Sequence, residues 1–300
     1  MEKVIETTGG VEMQFAGKNR IAPIGVFDSG IGGLTVARAI LDDLPRERLI
    51  YFGDTARVPY GNKSSETVRR YCREITGFFR DLGVKMVVVA CNTSTAAAWD
   101  TITEAFPGPV VGVVEPGAMA AVTATKTGKI GVIGTKSTIA SGAYDRALKR
   151  LDPSVQVWST PCPLFVPLAE EGWADDQVTR IVAARYLASL ISEKVDVIIL
   201  GCTHYPLLQN TLQGVVGPQI TLVNSAAETA KAVALELSRY GLLSPGSQGP
   251  SDFCSSDDIE GFRRHFQTII GVAEARFHLL TDFDHPPACL SSQKKTKTTR

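Results

Sequence analysis

Short apolar, β-branched runs recur along the chain, separated by longer stretches in which apolar residues return every three or four positions. The runs Ile24–Asp28, Leu49–Phe52, Met86–Ala90, Val110–Val114, Ile130–Ile133, Val155–Trp158, Val195–Leu200 and Ile220–Val223 read as strands. Leu34–Leu44, Glu66–Leu82, Asp175–Ile191 and Ala226–Tyr240 read as amphipathic helices. Strands that alternate with helices predict parallel sheets covered on both faces.

The pattern repeats. IGVFDS at Ile24 returns as IGVIGT at Ile130, VVVACNT with Cys91 returns as VIILGCT with Cys202, and VVEPGA with Glu115 returns as LVNSAA with Asn224. Each echo lies roughly 110 residues downstream, in the same order. The expected fold is α/β: two pseudo-symmetric three-layer domains, with mainly parallel sheets facing across a cleft. Residues 1–22 read as a flexible N-terminal extension, 23–115 with 225–272 as the first domain, 116–224 as the second, and 273–300 as a C-terminal tail.

Ligands of open parallel sheets bind beyond the carboxyl ends of the strands. Cys91 and Cys202 both stand at such ends. A single cysteine ending a strand is most simply a small buried hydrophobe. Two at equivalent repeat positions, each followed by polar, helix-starting residues (Asn92–Thr93–Ser94 and Thr203–His204), point to chemistry instead. The free N–H groups of a helix start favour a thiolate and bind carboxylates. Two sulfurs flanking one carbon could take a proton from one face and return it to the other. Asp28, in FDSGIGG, caps the next helix or serves the site. Gly30, Gly32 and Gly33 would let backbone approach a ligand. His204 is close enough to Cys202 to relay its proton. Tyr60 and Gly61, in VPYGNKS, offer a phenol and a bare N–H to a carboxylate.

Composition narrows the classes. The chain has 300 residues, 44% of them hydrophobic, and a formal net charge of zero, so nothing in it suggests nucleic acid or an acidic membrane as partner. The basic ending with Lys294, Lys295, Lys297 and Arg300 reads as a solvated tail. No apolar run approaches the roughly 20 residues that span a bilayer. The N-terminus lacks a signal-peptide core, so a cytoplasmic location is expected. Six cysteines without a C-x-x-C pair argue against both a disulfide framework and a structural metal site. No cofactor is expected: Gly30-x-Gly32 imitates a dinucleotide fingerprint, but Thr35 replaces its third glycine. No lysine at a strand end suggests pyridoxal phosphate. A non-catalytic amino-acid binding protein would leave the paired cysteines without a task.

The ordered set FDSGIGG, VPYGNKS, ACNTST, PLAEEG and GCTHYP resembles bacterial glutamate racemases, from about Pro23 to Gly271. The resemblance implies cofactor-independent interconversion of L- and D-glutamate, the D-form entering peptidoglycan. It implies Cys91 as the base for D-glutamate and Cys202 as the base for L-glutamate, with Asp28 and His204 as their helpers. Asp28–Ser29, Tyr60–Gly61, Asn92–Thr93 and Thr203–His204 match the substrate-contacting pairs, and Glu170 an accessory acidic position. It also implies a homodimer. A racemase of another acidic amino acid, such as aspartate, is the alternative; relatives of that type tend to carry Glu where this chain has His204.

Overall fold

The computed structural model describes residues 19–271, 274–283 and 290. The elements run β1 (Ile24–Asp28), α1 (Leu34–Asp43), β2 (Leu49–Gly53), α2 (Ser65–Asp81), β3 (Met86–Val89), α3 (Asn92–Ala105), β4 (Val110–Gly112) and α4 (Val114–Ala124). They continue with β5 (Lys129–Gly134), α5 (Lys136–Ala140), α6 (Ala143–Leu151), β6 (Gln156–Pro161), α7 (Phe165–Glu170), α8 (Gln177–Ser192), β7 (Val197–Gly201) and α9 (Gln209–Val216). Last come β8 (Thr221–Asn224), α10 (Ser225–Arg239), β9 (Ser251–Ser255), α11 (Ile259–Ile269) and β10 (Ala275–Leu279).

Two parallel sheets result, ordered β10-β9-β2-β1-β3-β4 and β6-β5-β7-β8. The order β2-β1-β3-β4 in one sheet equals β6-β5-β7-β8 in the other, as an internal duplication requires. Strands β1, β2, β3 and β7 are buried along their whole length. That explains their near-continuous apolar sequence, since helices cover both faces. Helix α2 shows the pattern from the helical side: Val68, Cys72, Ile75 and Phe79 fall on one face and pack against Phe27, Phe52, Val87 and Val89.

The helices after β4 and β8 are exchanged between the two units. In α4, Val114, Ala118 and Ala121 join the core built around Ile130, Val132 and Val197 of the second sheet. In α10, Ala226, Ala230, Val233 and Leu237 join Ile24, Val26 and Leu34 of the first. The exchange ties the two sheets together beside the carboxyl ends of β4 and β8.

Three sequence expectations change. Val114 does not end β4 but opens α4. Two strands, β9 and β10, were not anticipated. The second of them lies past residue 273, where a tail was expected, and pairs in parallel with β9. The sequence SDFCS of β9 is too polar to signal a strand. Its Asp252 is fully buried because Arg48, Arg276 and His278 all bond to it. The expected N-terminal extension up to residue 18 and the basic tail from 291 lie outside the described residues. Among the described residues, no helix is long and apolar enough to cross a membrane.

Candidate active site

Three strand ends meet here: β1 with Asp28, β3 with Cys91 and β7 with Cys202. Asp28 is fully buried. Its Oδ2 accepts the Gly30 N–H at 2.9 Å, and its Oδ1 accepts the Thr203 hydroxyl at 3.2 Å, a link between the two units. Burial pushes the Asp28 carboxyl above its ordinary range, although the charge of His204 and the hydrogen bonds pull it back in part.

Gly32 and Gly33 of this turn allow close packing of the protein's own groups. A Cβ on Gly32 would lie 2.4 Å from the Thr203 hydroxyl and 2.5 Å from His204 Nδ1; one on Gly33 would lie 2.4 Å from the Asp28 Cβ. Bare backbone of the first unit therefore seats Thr203 and His204 of the second.

Cys91 caps α3, with its sulfur accepting the Ser94 N–H at 3.4 Å. The helix start was expected to favour a thiolate. Burial wins instead: it pushes the Cys91 thiol up to about 11, with the Asp28 charge adding to the effect and the hydrogen bonds from Ser94 and Ser29 opposing it. At neutral pH the Cys91 thiol therefore holds its proton.

Cys202 does not stand at an α-helical N-terminus. A 3-10 turn, Tyr205–Leu208, intervenes before α9. Its sulfur lies 3.9 Å from His204 Nδ1, and His204 Nε2 lies 3.0 Å from Glu170 Oε1. A sulfur–imidazole–carboxylate chain results. Burial disfavours the imidazolium, but the hydrogen bonds to Cys202 and Glu170, then the charges of Cys202 and Asp28, outweigh it and raise His204 to about 10. For Glu170, burial acts upward but is outweighed by the hydrogen bond and charge of His204, so the carboxyl lies below its ordinary range.

A pH dependence of stability follows. The folded value of His204 exceeds the unfolded one of about 6.5. Its contribution is complete below that pH and is lost as pH rises through about 10. His204→Gln should flatten the fall in urea-unfolding stability between those limits; an unchanged slope would contradict the assignment.

The two sulfurs line one cavity of about 470 Å³. Ser29, Tyr60, Gly61, Asn92, Thr93, Glu170, Thr203 and His204 line it as well. Asp28 does not; it sits behind Thr203. Larger clefts of about 760 and 780 Å³ lie elsewhere and contain no thiol. The Tyr60 phenol donates to Asp54, which also accepts from Arg57, and Tyr60 and Gly61 both line the cavity. Asn92 Oδ1 accepts from the Tyr144 hydroxyl, while the buried Nδ2 has no partner among the described residues. The Thr93 hydroxyl lies 3.0 Å from that of Thr135 and 3.3 Å from that of Thr138. Sequence reasoning missed Thr135, although the repeat marks it as the echo of Ser29. It also missed the apolar wall of Pro163, Leu164, Val166 and Pro167, of which only Pro167 belongs to a quoted motif, PLAEEG.

Residues 25–233 match the family model described as Asp/Glu/Hydantoin racemase. The chain belongs to that family. As a member of it, the protein is an amino-acid racemase. It is 51% identical to a glutamate racemase of Geobacter metallireducens, over 83% of this chain and 92% of the relative. Among solved structures of this racemase family, a Bacillus anthracis glutamate racemase superposes with a TM-score of 0.84 at 38% identity, covering 87% of this chain and 98% of that one. A Francisella tularensis glutamate racemase in complex with D-glutamate gives 0.83 at 33% identity, covering 89% and 99%.

Proposed function

We propose that this racemase interconverts L- and D-glutamate without a cofactor, by proton transfer between two cysteines. The observation that carries the reading is the placement of Cys91 and Cys202, at equivalent ends of duplicated sheets, in the wall of one small cavity. The relatives named above are glutamate racemases, which supplies the substrate.

In the L-to-D direction, Cys202 sulfur takes the α-proton and becomes S–H. The electron pair left on Cα spreads into the carboxylate. The Cys91 S–H then gives its proton to the opposite face and is left ionised. Proton exchange with solvent, or turnover of the other enantiomer, restores the starting state. A sulfur is a poor base for a carbon-bound hydrogen, so donors must stabilise the developing charge. Thr93, Thr203, Gly61 and the Asn92 amide are suited to bind the substrate carboxylates. His204, oriented by Glu170, holds the proton of Cys202. Asp28 acts on Cys91 through its charge. The product fits a cytoplasmic supply of D-glutamate for peptidoglycan, from an enzyme that works as a homodimer.

The test is racemisation in heavy water without added cofactor. Solvent deuterium should enter Cα of glutamate as it racemises, and aspartate should turn over far more slowly. Racemisation without deuterium uptake, or a preference for aspartate, would overturn the reading.

A further inference from the structure

We propose that Tyr144 is a positioning residue that sets which end of the Asn92 side-chain amide is offered to the substrate; this rests on the reading of Asn92 as a substrate contact. Tyr144 belongs to α6 of the second unit and is 2% exposed. Its hydroxyl crosses to the first unit and donates to Asn92 Oδ1 at 2.6 Å. That donation commits the amide oxygen and leaves the NH₂ group free.

That freedom is costly unless a ligand uses it. Asn92 is 2% exposed, its Nδ2 is buried without a partner among the described residues, and the side chain lines the cavity. A buried amide donor left unpaired is destabilising, whereas an N–H bonded to a carboxylate is among the stronger hydrogen bonds. An amide flipped by 180° would instead turn its oxygen on that carboxylate. The Tyr144 hydroxyl selects between the two orientations.

The ring is held where the exchanged helices meet. A Cβ on Gly117 of α4 would lie 3.2 Å from the Ser225 Cβ and 3.4 Å from the Tyr144 hydroxyl. A Cβ on Gly201, the residue before Cys202, would lie 3.1 Å from the Tyr144 ring. Tyr144 thus connects α4, α10 and the end of β7 to a donor on α3.

Tyr144→Phe keeps the ring and removes only the hydroxyl. It should raise the KM for glutamate about 10-fold and change kcat less than about threefold. Asn92→Ala should raise KM at least as far. In the Asn92→Ala background, Tyr144→Phe should have no further effect on KM, because its action runs through that amide. If Asn92→Ala raises KM but Tyr144→Phe does not, or if the two effects add, the positioning role is wrong. If Asn92→Ala leaves KM unchanged, the substrate contact itself fails and the inference falls with it. A purely structural tyrosine would lower the urea midpoint equally in both backgrounds without this dependence.

Discussion

Cys202→Ala is expected to lose at least about 10²–10⁴-fold in racemisation, while still exchanging the α-hydrogen of D-glutamate with solvent. Cys91→Ala should lose as much and exchange only L-glutamate. Each thiol serves one face of the substrate. Removing one leaves the other able to take a proton and return it to the same side, which labels the carbon without inverting it. Cys91 and Cys202 are 4% and 6% exposed and both line the cavity, so alanine removes one sulfur without deleting a large core contact. Proton NMR in heavy water reads the exchange, and polarimetry reads the inversion. Near wild-type racemisation by either variant would end the two-base assignment. Exchange of both enantiomers by one variant would show a single base reaching both faces.

Lys85→Met is expected to cost about 3–5 kcal/mol of folding stability, the penalty of stranding a buried partner charge. Lys85 is 2% and Glu47 6% exposed. The ammonium bonds to Glu47 Oε2, to the Arg20 carbonyl at 2.7 Å and to the Leu242 carbonyl at 2.9 Å. Glu47 Oε1 accepts the Ser244 N–H at 2.8 Å. The pair joins the entries to β1, β2 and β3 with the chain after α10, at the end of the sheet opposite the cavity. Burial pushes the Lys85 ammonium below its ordinary range despite its partners, so the pair is an expensive one to break and a modest one to keep. Adding Glu47→Leu should recover only part of the loss, because the Arg20 and Leu242 carbonyls would still lack a donor and the Ser244 N–H would lose its acceptor. Urea unfolding measures both variants, and kinetic constants of the folded fraction should stay unchanged. A single-variant loss under about 1 kcal/mol would sink the claim.

Much of the site was legible because its signals are local. Ile24–Asp28 and Val197–Gly201 announce themselves as buried strands by unbroken apolar sequence, and the cysteines announce themselves by recurring after such strands. Other features depended on which distant group arrived. That the Tyr60 phenol reaches Asp54 depends on the path of the loop, which the motif VPYGNKS does not reveal. Gly32 of FDSGIGG admits Thr203 and His204, residues far along the chain. Serine and aspartate in β9 are strand residues only because Arg48, Arg276 and His278 converge on Asp252.

The chain's own order of residues determined the strands, their duplication and the location of a thiol at each matched strand end, since periodicity and turn chemistry act over a few residues. Tertiary structure alone decided that both thiols line one cavity and which protonation state burial imposes on Cys91. The exchange of α4 and α10 ties the two sheets, and desolvation depends on everything packed around a group, neither of which any short stretch contains.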